Sequence, residues 1–208
     1  MRNATRLIGI AALVAASVSC GDVVRQGSSP VFLVIDQLTA SAGGKGSATA
    51  SGFLLSDVVT NVTTPDPCKP DNPCPTVFND TGSVTLRAPL KDLGATTPLT
   101  ATANNEVTIN RLHIEYIRAD GRNTPGVDVP YAFDSAVTGT VPANGTLTLG
   151  FEIVRHVAKE ESPLVQLRGA SNIINTIGRV TFYGVDRVGN NVSVMGQIQI
   201  EFGNFGDQ

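Results

Sequence analysis

The residues best suited to acid–base or metal chemistry are the two histidines, and His113 has the more suggestive neighbours. Arg111, His113 and Glu115 occupy alternate positions, so in a strand their side chains would share one face. A hydrolytic or metal site needs a further group that converges on the histidine, and the nearby sequence supplies none. The pattern therefore favours an exposed polar strand face.

The other sequence features that could carry catalysis are incomplete. His156 precedes Glu160, but it lacks the glutamate of an H-E-x-x-H zinc helix and reads as a residue at the end of a strand. The glycine-rich stretch 43–52 (GGKGSATASG) lacks the order of a phosphate-binding loop, and no helix pattern follows it. No G-x-S-x-G nucleophile motif occurs. We therefore predict a protein that is not an enzyme and that uses no cofactor.

Two turns rich in Asp and Asn raise the question of calcium. One turn offers Asp120 and Asn123, and the other offers Asp186, Asn190 and Asn191. Calcium requires oxygen ligands from several segments, whereas Asp, Asn and Gly are also the residues that tight turns prefer. We predict turns without a metal ion, and we expect Asp120 and Asp186 to be too far apart to share one.

Cys68 and Cys74 lie in a proline-rich stretch (PDPCKPDNPCP). Metal-binding cysteine pairs usually sit closer together and come with a second Cys or His pair, which this sequence lacks. In an exported protein, such a local pair predicts a disulfide. The bond would stiffen the loop at 60–77.

The N-terminus has the three parts of a secretory signal peptide: Arg2 and Arg6, an apolar run at 7–16, and small residues before Cys20. The apolar run is too short to span a bilayer. Cleavage by an ordinary signal peptidase before Cys20 would give a secreted protein with a free N-terminal thiol.

The stretch VAASVSC, which ends at Cys20, also resembles the lipobox of bacterial lipoproteins, although Ser17 stands where those motifs usually carry leucine. The resemblance implies a signal peptide at 1–19 and a diacylglycerol anchor on Cys20. It also implies a lipidated N-terminus and tether at 20–30. An exposed free thiol would be a liability in an oxidising compartment, which favours lipidation.

The composition indicates a single β-rich domain without affinity for nucleic acid. The 208 residues carry a net charge of −3, 16% of them are charged, and no Lys/Arg cluster occurs. Residues 31–208 are enough for one domain with a real core. Abundant Thr, Val, Gly, Asn and Ser favour strands and turns over helices.

Alternation of apolar and polar residues predicts strands after the disulfide loop near 83–90, 107–119, 129–141, 146–157, 179–186 and 192–202. The alternation is poorest at 129–141. Within 107–117 the apolar phase slips by one residue near Asn110, which predicts a β-bulge. We expect seven to nine strands with Gly, Asn and Pro turns, which is typical of an antiparallel β-sandwich.

Two stretches resemble bacterial immunoglobulin-like domains. Residues 181–200 (TFYGVDRVGNNVSVMGQIQI) are similar to the closing hairpin of these domains, and residues 141–153 (VPANGTLTLGFEI) to their Pro-x-x-Gly turn and the strand after it. The resemblance is clearest over the C-terminal half of the chain and implies an immunoglobulin-like sandwich. Such domains serve adhesion, assembly, glycan binding and spacing, so the fold alone does not choose a function.

These features predict a non-catalytic lipoprotein of the cell envelope, with the outer membrane as the expected location. It would act as a binding or structural module, held to the membrane through Cys20, with a protein or glycan as its partner. One alternative is a subunit of an extracellular assembly, in which the segment 29–38 (SPVFLVIDQL) adds a strand to a neighbour's sheet. Another is an accessory domain for glycan binding.

Strand direction predicts which end of the sandwich binds. If the strands after the disulfide loop alternate in direction, then loops 60–77, 120–128 and 159–178 emerge at one end. Loops 91–106, 142–145 and 187–191 then emerge at the other end. Binding usually resides on long loops held by a rigid scaffold. We therefore predict that a partner meets the first, acidic end, which carries Asp120, Asn123, Asp128, Glu160 and Glu161.

Overall fold

The computed structural model describes residues 27–44, 49–91 and 100–206. Most of these residues lie in β-strands, which form a three-stranded sheet, a five-stranded sheet and a two-stranded hairpin. The predicted all-β sandwich is confirmed. Within the described ranges, the strands of the two larger sheets together fall in the expected range of seven to nine.

The larger sheet runs from one edge to the other in the order β2 (Phe53–Asp57), β10 (Asn191–Gly203), β9 (Ile174–Asp186), β6 (Val107–Ile117) and β7 (Phe133–Val141). Neighbouring strands are antiparallel, except that β2 runs parallel to β10. Because β2 and β10 are far apart in the sequence, no hairpin constrains them to run in opposite directions. This edge pair is the exception to the predicted antiparallel arrangement.

The smaller sheet has the order β1 (Val34–Ser41), β5 (Asp80–Arg87) and β8 (Thr146–Val154), with both pairs antiparallel. The short strands β3 (Thr60–Val62) and β4 (Cys74–Thr76) pair with each other in the connection between β2 and β5. Helix α1 (His156–Glu160) follows β8, and two 3-10 helices occupy Ala103–Asn105 and Leu164–Leu167.

The core lies between the two sheets and is built from alternate residues of the facing strands. In β9, Val180 and Phe182 are buried, while the residues on either side of each point outward. Phe182 meets Phe151 of the smaller sheet edge to face, with ring centroids 5.4 Å apart. This burial on one face follows from the alternation of side chains across a strand.

Tyr116 links the two sheets through a buried hydrogen bond. Its hydroxyl donates to the carbonyl of Ile153 at 2.7 Å. Ile153 lies at an irregularity in the β5–β8 ladder, between the residues that pair with Asp80 and Thr81, and the hydroxyl satisfies its buried carbonyl. Burial raises the pKa of Tyr116, which keeps the phenol protonated and able to donate.

The predicted β-bulge is present at Asn110. In the pairing of β6 with β9, Ile109 lies opposite Gly184 and Arg111 lies opposite Tyr183, so Asn110 has no partner. β6 and β9 approach each other closely here: a Cβ on Gly184 would lie 2.8 Å from the carbonyl oxygen of Thr108. Only glycine fits this position without displacing β6.

The strand directions define two ends of the sandwich. At the upper end, β6 and β8 end and β5 and β7 begin. The connections that precede β5 (58–79), join β6 to β7 (118–132) and follow β8 (155–173) therefore emerge together. At the lower end lie the connections 142–145 and 187–190. Strand alternation predicted this arrangement of the described connections, and residues 92–99 of the predicted loop 91–106 lie outside the described residues. Several boundaries differ from the prediction: β7 begins at Phe133 rather than 129, and β9 begins at Ile174 rather than 179. β6 and β8 end at Ile117 and Val154, before the predicted 119 and 157.

Candidate functional site

A groove of about 180 Å³ opens at the upper end, between the segment that leads into β7 and the segment that follows β8. Its lining residues are 130–133 together with Arg155, Val157, Ala158, Glu161 and Ser162. Tyr131 and Val157 are 58% and 45% exposed, respectively. Apolar side chains at the mouth of a concave site are typical of a surface that binds a ligand or a partner.

Arg155 is fixed in place along one side of the groove. Its guanidinium stacks over the ring of Phe133, 3.8 Å from the ring centroid, and its Nη2 donates to the carbonyl of Asp134 at 2.9 Å. A stacked guanidinium is favoured by the negative face of the ring. The contact joins the end of β8 to the beginning of β7 across the two sheets.

Helix α1, which supplies Val157 and Ala158 to the groove, is tied to the core by a buried ion pair. The Nζ of Lys159 lies 2.9 Å from Oδ1 of Asp80, and the side chains are 1% and 0% exposed, respectively. Asp80 also accepts a hydrogen bond from Ser56 Oγ at 2.6 Å and one from the Gly43 backbone N–H at 2.9 Å. Burial raises the pKa of Asp80, and the charge of Lys159 opposes that rise.

Asn79, the residue before Asp80, makes a second tie to α1. Its Oδ1 accepts a hydrogen bond from the backbone N–H of His156 at 2.7 Å and lies 2.9 Å from His156 Nδ1. Its Nδ2 donates to Glu152. His156, which the sequence placed at a strand end, therefore opens α1 just after β8. Its hydrogen bond to Asn79 helps to position α1, which forms one wall of the groove.

The five residues predicted for the binding end all lie at the upper end, but only Glu161 lines the groove. Asp120 binds Arg118 and Arg122, with its Oδ2 2.7 and 3.0 Å from their Nη2 atoms. The hydrogen bonds from Arg118 and Arg122 lower the pKa of Asp120 to about 2. Asn123 accepts a hydrogen bond from the Arg118 backbone N–H.

The remaining predicted residues, Asp128 and Glu160, also lie outside the groove lining. Asp128 accepts a hydrogen bond from the Thr124 backbone N–H at 3.2 Å, and Glu160 is exposed at the end of α1. Two arginines neutralise Asp120, and Arg155 adds a further positive charge, so the upper end is less acidic than the acidic residues alone suggested. Arg118 and Arg122 lie in the connection 118–132, and Arg155 lies in the connection 155–173.

Cys68 and Cys74 form the predicted disulfide, with Cα atoms 5.3 Å apart. The bond joins the β3–β4 connection to Cys74, the first residue of β4, which pairs with Val62 of β3. It therefore constrains the longest of the described connections at the upper end. The prediction of a local bond is confirmed.

His113 lies on the outer face of the larger sheet among charged neighbours. Its Nδ1 is 3.4 Å from Oδ1 of Asp134, which also lies 3.2 Å from Nη1 of Arg111. Glu115 pairs with Arg179 at 3.2 Å. This is the solvated polar strand face that the sequence predicted.

The two Asp-rich turns lie at opposite ends of the domain. Asp186 pairs with Val107 at the start of β6, while Asp120 follows the end of that strand, and the 11 residues of β6 span about 33 Å. Asp186 accepts hydrogen bonds from the backbone N–H groups of Val188 and Asn190. Burial acts to raise the pKa of Asp186, but these hydrogen bonds and those from other neighbours outweigh it and lower the pKa.

Two further findings concern metals and membranes. Within residues 27–44, 49–91 and 100–206, no group of three or more His, Cys, Asp or Glu side chains is placed to hold a metal ion. No helix in those ranges is both long and apolar enough to cross a bilayer. The predicted signal peptide and Cys20 lie outside the described residues.

Comparison with known proteins adds no relative: no protein-family model matches the chain, and no curated protein is significantly similar to it in sequence. The site must therefore be interpreted from its own geometry. Sequence reasoning missed Tyr131, Phe133, Arg155 and Val157 of the groove. The segment 129–133 (VPYAF) did carry a signal, because an aromatic pair next to a proline is unusual in a chain with few aromatic residues.

Proposed function

We propose that the protein is a non-catalytic cell-envelope lipoprotein, anchored through Cys20, which binds a partner at the groove of its upper end. The observation that carries this proposal is the position of the described N-terminus. Val31 bridges to Leu90 and the Lys91 N–H donates to the carbonyl of Pro30 at 2.8 Å. Val34, where β1 begins, pairs with Arg87 at the lower end.

The anchor and the groove would thus lie at opposite ends of the sandwich. The groove would stand away from the membrane by at least the length of β6, about 33 Å, and the tether at 20–30 would add to that distance. A partner would then reach Tyr131 and Val157 without contacting lipid. Two sites at opposite ends of a rigid domain suit a module that presents a binding surface outward.

The anchor is tested by fractionating cells that produce the full-length chain. Cys20→Ser should move the protein from the membrane fraction into the soluble envelope or the medium. The matched control is the double variant Cys68→Ser/Cys74→Ser, which removes the other cysteines and should leave the protein in the membrane fraction. Unchanged membrane association of Cys20→Ser would refute the anchor.

The groove is tested by placing a photo-crosslinking amino acid at Tyr131 in the full-length protein in cells. We expect a discrete crosslinked adduct from Tyr131 and none from Val188, an equally accessible apolar position at the lower end, 69% exposed. Equal crosslinking from both positions, or from neither, would contradict partner binding at the groove.

A second candidate function is a subunit of an extracellular assembly. The edge strand β2 favours it, because Phe53 and Leu55 are 52% and 41% exposed on a strand that pairs with β10 on one side. Residues 34–41 form β1 of the chain's own sheet, so strand addition by the segment 29–38 would require exchange between copies. Analytical ultracentrifugation of the soluble domain distinguishes the two functions. A dimer or polymer at micromolar concentration that Leu55→Lys converts to monomer would favour assembly.

A further inference from the structure

A second concave site lies on the outer face of the larger sheet, toward its lower end. It is a recess of about 280 Å³, lined by residues 110–111, 183–185 and 191–192. None of these residues lines the groove at the upper end. The recess is therefore a separate site, beyond the function proposed above.

The β-bulge at Asn110 shapes this recess. Because Asn110 is the extra residue of β6, it and Arg111 are both exposed on consecutive positions, where a regular strand would turn one of them inward. On the neighbouring strands, Tyr183 and Asn191 border the same space. Bulges are common beside functional sites, since they redirect a side chain out of the regular alternation.

Three neutral polar side chains in the recess have unused hydrogen-bonding capacity. Neither the Tyr183 hydroxyl nor the amides of Asn110 and Asn191 make a side-chain hydrogen bond to another described residue. The amides each offer donors and an acceptor, and the phenol offers one of each. All three line one recess, so a single ligand could engage them together.

The charge of the recess is already balanced. Arg111 is its one charged lining residue, and it stacks over Tyr183, 3.9 Å from the ring centroid, while its Nη1 lies 3.2 Å from Asp134. An anionic ligand would have to compete with Asp134 for the guanidinium. A neutral ligand would meet no uncompensated charge.

We infer that this recess binds a neutral saccharide. Hydroxyl groups act as both donors and acceptors, which matches the amides of Asn110 and Asn191 and the phenol of Tyr183. The guanidinium of Arg111, held on the tyrosine ring, provides further donors for sugar oxygens. The ligand class follows from this combination of paired charge and unpaired neutral groups.

The test is titration of the soluble domain by isothermal calorimetry and saturation-transfer NMR with maltohexaose, cellohexaose, xylohexaose and chitohexaose. We expect at least one of these to bind. Tyr183→Phe keeps the ring and its contact with Arg111, and should weaken that binding about fivefold through loss of one hydrogen bond. Asn191→Ala should weaken it by a similar factor.

Asn175→Ala is the matched control for Asn191→Ala, since it removes an exposed amide of β9 that lines neither the groove nor the recess and should leave saccharide affinity unchanged. Thermal unfolding of each variant confirms that the fold is retained. Absence of binding by all four saccharides would overturn the inference, as would equal affinity in Tyr183→Phe, Asn191→Ala and the unaltered domain. Crosslinking at Tyr131 tests partner binding at the groove, whereas the saccharide titrations test the recess. Failure of one proposal can therefore be distinguished from failure of the other.

Discussion

The buried ion pair between Lys159 and Asp80 gives the sharpest test of the structure. Lys159→Met removes the charge and keeps most of the length of the side chain. It leaves the Asp80 carboxylate fully buried, with hydrogen bonds from Ser56 and Gly43 and without a counter-ion. Removing one partner of a buried pair typically costs about 3–5 kcal/mol. Because two donors remain on Asp80, we expect a loss near the lower value, about 3 kcal/mol of unfolding free energy at pH 7.

The loss should depend on pH in a definite direction. In the variant, burial raises the pKa of Asp80 and the opposing charge of Lys159 is gone. The folded state then holds a proton on Asp80 more tightly than the unfolded chain, where the carboxyl titrates at its ordinary value of 3.8. The destabilisation is therefore complete above the raised pKa and shrinks as pH falls toward that ordinary value.

The assay is urea-induced unfolding of the soluble domain at pH 7 and at pH 4, close to the ordinary pKa of the carboxyl. Lys69→Met is the matched control, because Lys69 pairs with Asp66 at 3.5 Å on the surface, with both side chains largely exposed, and such pairs contribute little. The double variant Lys159→Met/Asp80→Asn has no buried charge and should recover part of the loss. A Lys159→Met variant as stable as Lys69→Met, or equally destabilised at both pH values, would refute the reasoning.

Three other predictions concern separate parts of the molecule. The carboxyl of Asp120 should titrate by NMR with a midpoint near pH 2. The stability that the ionised carboxyl contributes is present above its ordinary pKa of 3.8 and should disappear as pH falls through the midpoint near pH 2. A midpoint near 3.8 would contradict the ion pairs with Arg118 and Arg122. Tyr116→Phe should lower the unfolding free energy by about 1–3 kcal/mol in urea, because the buried carbonyl of Ile153 loses its donor; an unchanged midpoint would show that the carbonyl has another partner. Cys68→Ser/Cys74→Ser should lower the unfolding free energy by about 2 kcal/mol, by the chain-entropy estimate for so short a loop. Equal stability of the oxidised and substituted proteins would indicate that the loop is ordered without the bond.

The sequence by itself determined the features that depend on neighbouring residues. Alternation at 146–154 and 192–202 identified strands, because one face of each must be buried and side chains alternate across a strand. The slip in phase near Asn110 identified the bulge, since an extra residue necessarily shifts the alternation. The Cys68–Cys74 bond was predictable because both cysteines lie in one short loop.

Strand boundaries were less predictable where side chains gave a poor pattern. The sequence suggested a strand from 129, but β7 begins at Phe133, after Pro130, which has no N–H to donate to a ladder. β9 begins at Ile174, earlier than the alternation of 179–186 suggested, because its first residues pair with the end of β10. Pairing with a distant strand extended β9 where its own sequence was ambiguous.

Only the tertiary structure decided the sites. Asp80 and Lys159 are 79 positions apart, and no local pattern indicates that a charged residue of β5 and one of α1 should meet in the core. The groove joins residues 130–133 to residues 155–162, which come together because β7 and β8 lie in different sheets and their far ends share the upper end of the sandwich. Local sequence sets which face of a strand is buried, whereas the packing of one sheet on the other sets which distant side chains become neighbours.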